Sequence, residues 1–173
     1  LNIIAGYAGQ SSIGHAAFFG IGAYTSAVLT STMGVNFWIS LPIAFIVTGL
    51  IGALLGLASM RVKEDFLAIT TIGINFVVVA IFQYAPIFGA SLGMSFSRPS
   101  LFGLKMDNMM FLILVGLLIA AMVYFMKVIE RSWFGLALAS IRNDEAAASS
   151  LGVNIVKFKV PAFAVGTAVA GLA

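Results

Sequence analysis

Phe37-Trp38-Ile39-Ser40-Leu41-Pro42-Ile43-Ala44-Phe45-Ile46-Val47-Thr48-Gly49-Leu50-Ile51-Gly52-Ala53-Leu54-Leu55-Gly56-Leu57-Ala58-Ser59-Met60 contains no charged side chain, and Arg61-Val62-Lys63-Glu64-Asp65 ends the run abruptly. As a helix rising about 1.5 Å per residue, it is long enough to cross a hydrocarbon core of about 30 Å. Pro42 falls near its start, where a missing amide hydrogen is tolerated. Gly49, Gly52 and Gly56 follow, and the last two form a GxxxG pair that lets another helix backbone approach closely. This stretch reads as a transmembrane helix with a packing face.

The rest of the chain follows the same pattern. Of 173 residues, 61% are apolar and only 9% are Asp, Glu, Lys or Arg. A soluble domain has about a quarter of its residues charged, so these charges are too few to coat one. Further spans are expected over 16–35, 66–88 and 109–126, with a truncated one over 158–173. In the first, Ala16, Gly20, Ala23 and Ala27 form a small-residue stripe suited to helix contact. The third candidate, 66–88, is interrupted by Asn75, Gln83 and Pro86, so a straight span and a short, broken or re-entrant helix both remain open. Leu1 to Ala8 reads as the tail of a preceding helix followed by irregular backbone, and Gly89–Asp107 as a loop. Long continuous apolar runs disfavour an outer-membrane barrel, whose strands alternate over about ten residues. The fold class expected is all-α, a polytopic transmembrane helical bundle with a cytoplasmic coupling helix. The chain starts without Met or a charged leader and stops in mid-run at VPAFAVGTAVAGLA, so it is expected to be part of a longer protein.

The basic residues orient the bundle. Arg61, Lys63, Lys127, Arg131, Arg142, Lys157 and Lys159 fall on one side if four crossings separate Ala16 from Met126. Arg98 and Lys105 fall on the other. Seven against two favours the cytoplasm for the first side. That makes 127–157 a cytosolic insertion. Within it, Trp133–Leu151 is rich in helix formers, and Gly152 is well placed to end a helix in the left-handed conformation. Phe134, Leu138, Ile141, Ala148 and Leu151 form one apolar stripe. Asn143-Asp144-Glu145 lies too far along a single helix to act as its cap. Three readings of this helix stay open: docking to a soluble partner, resting on the bilayer surface, and packing within the chain.

Polar residues near the spans supply the pathway candidates. Gly9-Gln10-Ser11-Ser12-Ile13-Gly14-His15 is polar and Gly-bracketed, and irregular backbone at membrane depth survives only in protein or along a cavity. Gln10, Ser11, Ser12 and His15 therefore either contact a translocated molecule or satisfy one another in a helix contact. Thr71 and Asn75 share a helical face that Gln83 roughly continues, and these side chains are costly against lipid. No Asp, Glu, Lys or Arg lies deep in a span, which disfavours a proton relay or voltage sensor. There is no cysteine, one histidine, no GxxxxGK[ST] loop, no HExxH and no GxSxG. No catalytic residue, metal site or cofactor is expected, and no basic face suits nucleic acid.

NIIAGYAGQSSIGHAAFFGIGAYTSAVL (Asn2–Leu29), MRVKEDFLAITTIG (Met60–Gly73) and FGLALASIRNDEAAASSLGVNIVKFK (Phe134–Lys159) resemble, in order, three blocks of the LivM-like permeases. These are membrane subunits of branched-chain amino acid ABC importers in the LivH/LivM family. The resemblance implies that residues 1–173 form part of a transmembrane permease domain in the cytoplasmic membrane. It implies a second LivH/LivM-like permease subunit, two ATP-hydrolysing subunits and an extracytoplasmic solute-binding protein as partners, alongside membrane lipid. Gly135, Ile141, Arg142, Glu145, Ala146, Ala147 and Gly152 match the loop that meets the ATPase. Gln10, Ser12, Gly14 and His15 match the family's Gly/polar element near the translocation region. Ser11, Leu136, Ser140 and Glu64 depart from residues common there. Related permeases for urea or short amides, and a secondary transporter or channel working without ATP, are the alternatives.

Overall fold

A computed structural model describes residues 2–7, 9, 14–59, 64–89, 93–94, 100–101, 104–105 and 107–172. The chain opens with a π-helical segment, Asn2–Tyr7. Seven α-helices follow among the described residues: α1 His15–Ser31, α2 Phe37–Ser59, α3 Glu64–Tyr84, α4 Asn108–Glu130, α5 Trp133–Asn143, α6 Glu145–Ser150 and α7 Ile155–Leu172. A two-residue antiparallel ladder, Ser100–Leu101 with Leu104–Lys105, lies between α3 and α4. Phe37–Ala58, Asn108–Glu130 and Ile155–Leu172 are long and apolar enough to cross a membrane.

The centre of the bundle is α1, α2 and α7, with the π-helical segment against α7. α2 and α7 run antiparallel and touch through small residues. A Cβ at Gly52 would lie 2.6 Å from Thr167 Cβ, one at Gly56 would lie 2.9 Å from Phe163 Cβ, and one at Gly49 would lie 3.1 Å from Ala168 Cβ. The expected GxxxG face is thus the packing face. Dispersion between closely apposed backbones holds such pairs, because lipid tails give no hydrophobic drive for helix association. Buried hydroxyls along the seam return to their own helices: Thr48 donates to the Ala44 carbonyl at 2.7 Å and Thr167 to the Phe163 carbonyl at 2.8 Å. Between α1 and α2, the Ser26 and Ser40 hydroxyls share a hydrogen bond of 2.8 Å.

The expected small-residue stripe on α1 is only partly used, Ala27 being buried and Gly20 lying against Phe82 of α3. Ala16 and Ala23 are exposed, whereas Ala17, Phe18, Gly22 and Ala27 are buried. The packed face is rotated by one residue because Gly22 comes against Gly171 and Phe18 fills the core. Helix ends also differ from the spans read in the sequence. α1 stops at Ser31, and Gly34 turns the chain at φ 65° before Asn36 accepts the Trp38 amide at its side-chain oxygen. α3 passes unbroken through Asn75 and Gln83 to Tyr84. It ends where Ala85 turns extended ahead of Pro86, as a residue before proline must. α1 has 17 residues, and the apolar part of α3 is Ala68–Tyr84.

α5 and α6 sit at the end of the bundle where α2 and α4 finish and α7 begins. Leu138 is fully buried with Ile3 and Ala162, flanked by Met126, Ile129, Phe134, Phe158 and Val165. α4, by contrast, has no buried residue.

Candidate functional site

The pathway candidates come first. Gln10, Ser11 and Ser12 lie outside the described residues. His15 begins α1, is half-buried, and meets Phe18 edge-on at 6.4 Å. Just before it, Gly14 abuts α3: a Cβ there would lie 2.9 Å from the Thr71 carbonyl oxygen and 3.1 Å from Thr71 Cβ. Thr71 is buried and donates to the Ala68 carbonyl at 2.9 Å. The structure therefore brings Gly14 and Thr71 together, with His15 adjacent and half-buried Asn75 one turn further along α3. Gln83 is exposed two turns beyond Asn75 and does not join them. There, α1 and α3 meet instead through aromatic rings, Tyr24 stacking on Phe82 at 4.2 Å with Phe88 edge-on to both. The Gly14–Thr71 neighbourhood offers neutral hydrogen-bonding groups and one imidazole, which suits contact with a polar solute better than bond-making.

The second candidate is the loop. Ser132 caps α5 by accepting the Gly135 amide at 3.3 Å. Gly135 is there because α5 folds back over the end of α4, and a Cβ would stand 2.7 Å from the Glu130 carbonyl oxygen. The single helix expected over Trp133–Leu151 is instead two. Asp144 adopts φ −160° and ψ 112°, ends α5, and accepts the Ala147 amide at 3.0 Å to start α6. This corrects the sequence reading that Asn143-Asp144-Glu145 lies too far along to cap. Once the backbone at Asp144 is extended, a second N-terminus exists, and its orphan amides need an acceptor. Gly152 then closes α6 at φ 85°, with its amide on Ser149 and the Val153 amide on Ala148, the paired bonds of a left-handed C-terminal stop.

The apolar stripe is used within the chain. Leu138, Ile141 and Ala148 are buried and Phe134 packs on the same cluster, while Leu151 is 84% exposed. Gly135 and Ile141 are thus buried structural positions, and only part of the matched set reaches the surface. Arg142 is exposed, yet its Nη1 donates to the Gly6 carbonyl at 2.6 Å. Glu145 pairs with the buried ammonium of Lys159 on α7. Ala146 and Ala147 on α6 are exposed and clear of such ties, and Trp133, Leu136 and Ala139 on α5 are also exposed. The ion pair of Lys159, the capping role of Asp144 and the Gly6 carbonyl as acceptor were missed by sequence reasoning. Of these, only Asp144, a capping residue followed by acidic Glu145 and three alanines, carried a local signal. Among the described residues, no group of His, Cys, Asp and Glu could hold a metal ion.

Long apolar helices joined at one end by a compact polar hairpin define a multi-pass membrane protein, consistent with the cytoplasmic membrane. The chain belongs to the family described as branched-chain amino acid transport system / permease component, whose model matches residues 1–173. It is therefore a member of a membrane permease family. The high-affinity branched-chain amino acid transport system permease protein LivM of Salmonella typhimurium (strain LT2) is 33% identical over 199 aligned positions, covering 100% of this chain and 47% of that protein. LivM of Escherichia coli (strain K12) matches with the same identity and coverage, 33% over 199 positions, 100% and 47%. The chain spans about half the length of these curated relatives. No solved structure matches it significantly.

Proposed function

We propose that this chain is the membrane-spanning portion of a permease subunit in an ATP-driven importer of branched-chain amino acids. Residues 127–157 would be its cytoplasmic coupling loop. The partners are a second permease subunit of the same family, two ATPase subunits beneath, and a solute-binding protein on the opposite face. The observation that carries this reading is the α5–α6 hairpin: its apolar stripe is anchored in the bundle, while Trp133, Leu136, Ala146 and Ala147 remain exposed. A soluble domain that grips an exposed helix face can move the bundle only if that face is fixed to it, and here it is. Of the described basic residues, Lys127, Arg131, Arg142, Lys157 and Lys159 belong to this end and Lys105 alone lies in the ladder between α3 and α4, a bias that supports a cytoplasmic orientation. Gly14, His15, Thr71 and Asn75, with Gln10, Ser11, Ser12 and Gln83 as further candidates, would contribute to the solute route.

Reconstitution of the full-length protein with its partner subunits tests the proposal. The expected result is ATP-dependent uptake of leucine, isoleucine and valine. Uptake that persists without ATP, or that favours urea and short amides over these amino acids, would overturn it. Leu136→Asp and Ala147→Arg should lower recovery of the ATPase subunits on purification without lowering membrane insertion.

A further inference from the structure

We infer that Arg142 is a positioning residue that joins the α5–α6 hairpin to the backbone leading into α1, so that the two move as one body. The inference rests on the coupling role proposed above for the hairpin. Three observations support the joint. Arg142 Nη1 donates at 2.6 Å to the carbonyl of Gly6, near the C-terminal end of the π-helical segment, where backbone carbonyls lack intrahelical donors and favour a cation. Gly9, at φ 68°, lies so close that a Cβ would stand 2.8 Å from Arg142 Cγ and 3.3 Å from its Cβ. One helical turn before Arg142, Leu138 is buried against Ile3, so an apolar footing sets the polar contact in register.

The contact is placed to transmit and contributes little to cohesion. Arg142 is exposed, and an exposed charge-assisted bond adds little to stability. It nonetheless spans 136 positions of sequence. On one side it touches the hairpin that carries the exposed Trp133, Leu136, Ala146 and Ala147. On the other it touches Gly6 and Gly9, just ahead of Gly14, which abuts Thr71. A push on the hairpin therefore reaches the π-helical segment that precedes α1 in the chain directly as well as through α7. π-helical turns are rare and are found mostly at functional sites, which fits a segment held for use and not for packing alone.

The test uses the reconstituted full-length complex and measures solute imported per ATP hydrolysed, together with complex yield. Arg142→Met should lower the import-to-ATP ratio, read per assembled complex, about fivefold or more. Arg142→Lys, which can still donate to Gly6, should retain most of it. The chain has no cysteine, and the Gly9 and Arg142 Cβ positions are near disulfide spacing, so Gly9→Cys with Arg142→Cys gives a reversible covalent joint. Reduced, the double variant should behave like Arg142→Met; oxidised, it should regain coupling. A ratio unchanged in Arg142→Met, or coupling that is the same in both redox states of the double variant, would each overturn the inference. Failure of the wild-type complex to show ATP-dependent import would instead count against the underlying functional reading.

Discussion

Lys159 on α7 is buried, its side chain 3% exposed, and it pairs with Glu145 at the start of α6, whose side chain is 43% exposed. The pair ties the hairpin to the first turns of a membrane helix, and its two members have unequal access to water. That inequality sets the first prediction. Glu145→Ala leaves a buried ammonium without its carboxylate and should cost about 1–3 kcal/mol, below the range for a fully buried pair because Glu145 is already partly solvated. Lys159→Met removes the buried charge and leaves a carboxylate that water can reach, so its cost should be about 0–1 kcal/mol. The double variant should recover most of the Glu145→Ala loss. Thermal unfolding of the four proteins in detergent gives the cycle, and equal losses from both single variants would contradict the assignment.

Gly52 and Gly49 should respond differently to alanine. A methyl at Gly52 meets Thr167 Cβ at 2.6 Å, whereas one at Gly49 has its closest neighbour at 3.1 Å, the Ala168 methyl. Overpacking at Gly52 is expected to cost about 1–3 kcal/mol, and the Gly49 change less than about 1 kcal/mol. Melting temperatures of the two variants decide the order.

Gly135→Ala places a methyl against backbone carbonyls of α4, which cannot rotate away as a side chain can. The turn between α4 and α5 must open, with an expected cost of about 2 kcal/mol or more. Limited proteolysis should then cut faster near Arg131, while Gly73→Ala, which meets nothing within 4 Å, should leave the digestion pattern unchanged.

The two ends of α6 can be tested separately. Asp144→Ala removes the acceptor for the Ala147 amide and should cost about 0.5–2 kcal/mol, with Asp144→Asn close to neutral. Gly152→Ala forces a Cβ into the left-handed region at φ 85° and should cost about 1 kcal/mol, with Gly152→Asn milder. Amide exchange in residues 145–150 reads both, since loss of either stop should speed it.

How much of this was legible in the sequence depends on the range of the interaction. The GxxxG face of α2 and the left-handed conformation of Gly152 are local patterns and appear as read, whereas the apolar stripe holds for Phe134, Leu138, Ile141 and Ala148 across two helices and fails at exposed Leu151. The rotation of the α1 contact was not legible, because Ala16, Ala17, Ala23 and Gly22 are all small and only the partner helix decides which of them is covered. The break at Asp144 was missed because helix propensity over Trp133–Leu151 is high throughout, and one extended residue overrides it. The Arg142–Gly6 and Glu145–Lys159 ties join residues far apart in the chain, and no spacing rule exposes them. Of the pathway candidates, Thr71 and His15 lie close to one another, while the exposure of Gln83 follows from how α3 turns against α1.

Because Thr167 closes over Gly52, α2 finds its main partner only after more than a hundred further residues have been made. At ribosomal rates of about 5–20 residues per second, the glycine face of α2 waits on the order of ten seconds in the membrane before α7 arrives. Biogenesis therefore leaves the tightest seam of the molecule open until late, and the insertion machinery or neighbouring lipid must shield it meanwhile. Premature chain termination ahead of Ile155 would strand a half-built core, making assembly of this seam sensitive to how fast α7 is delivered.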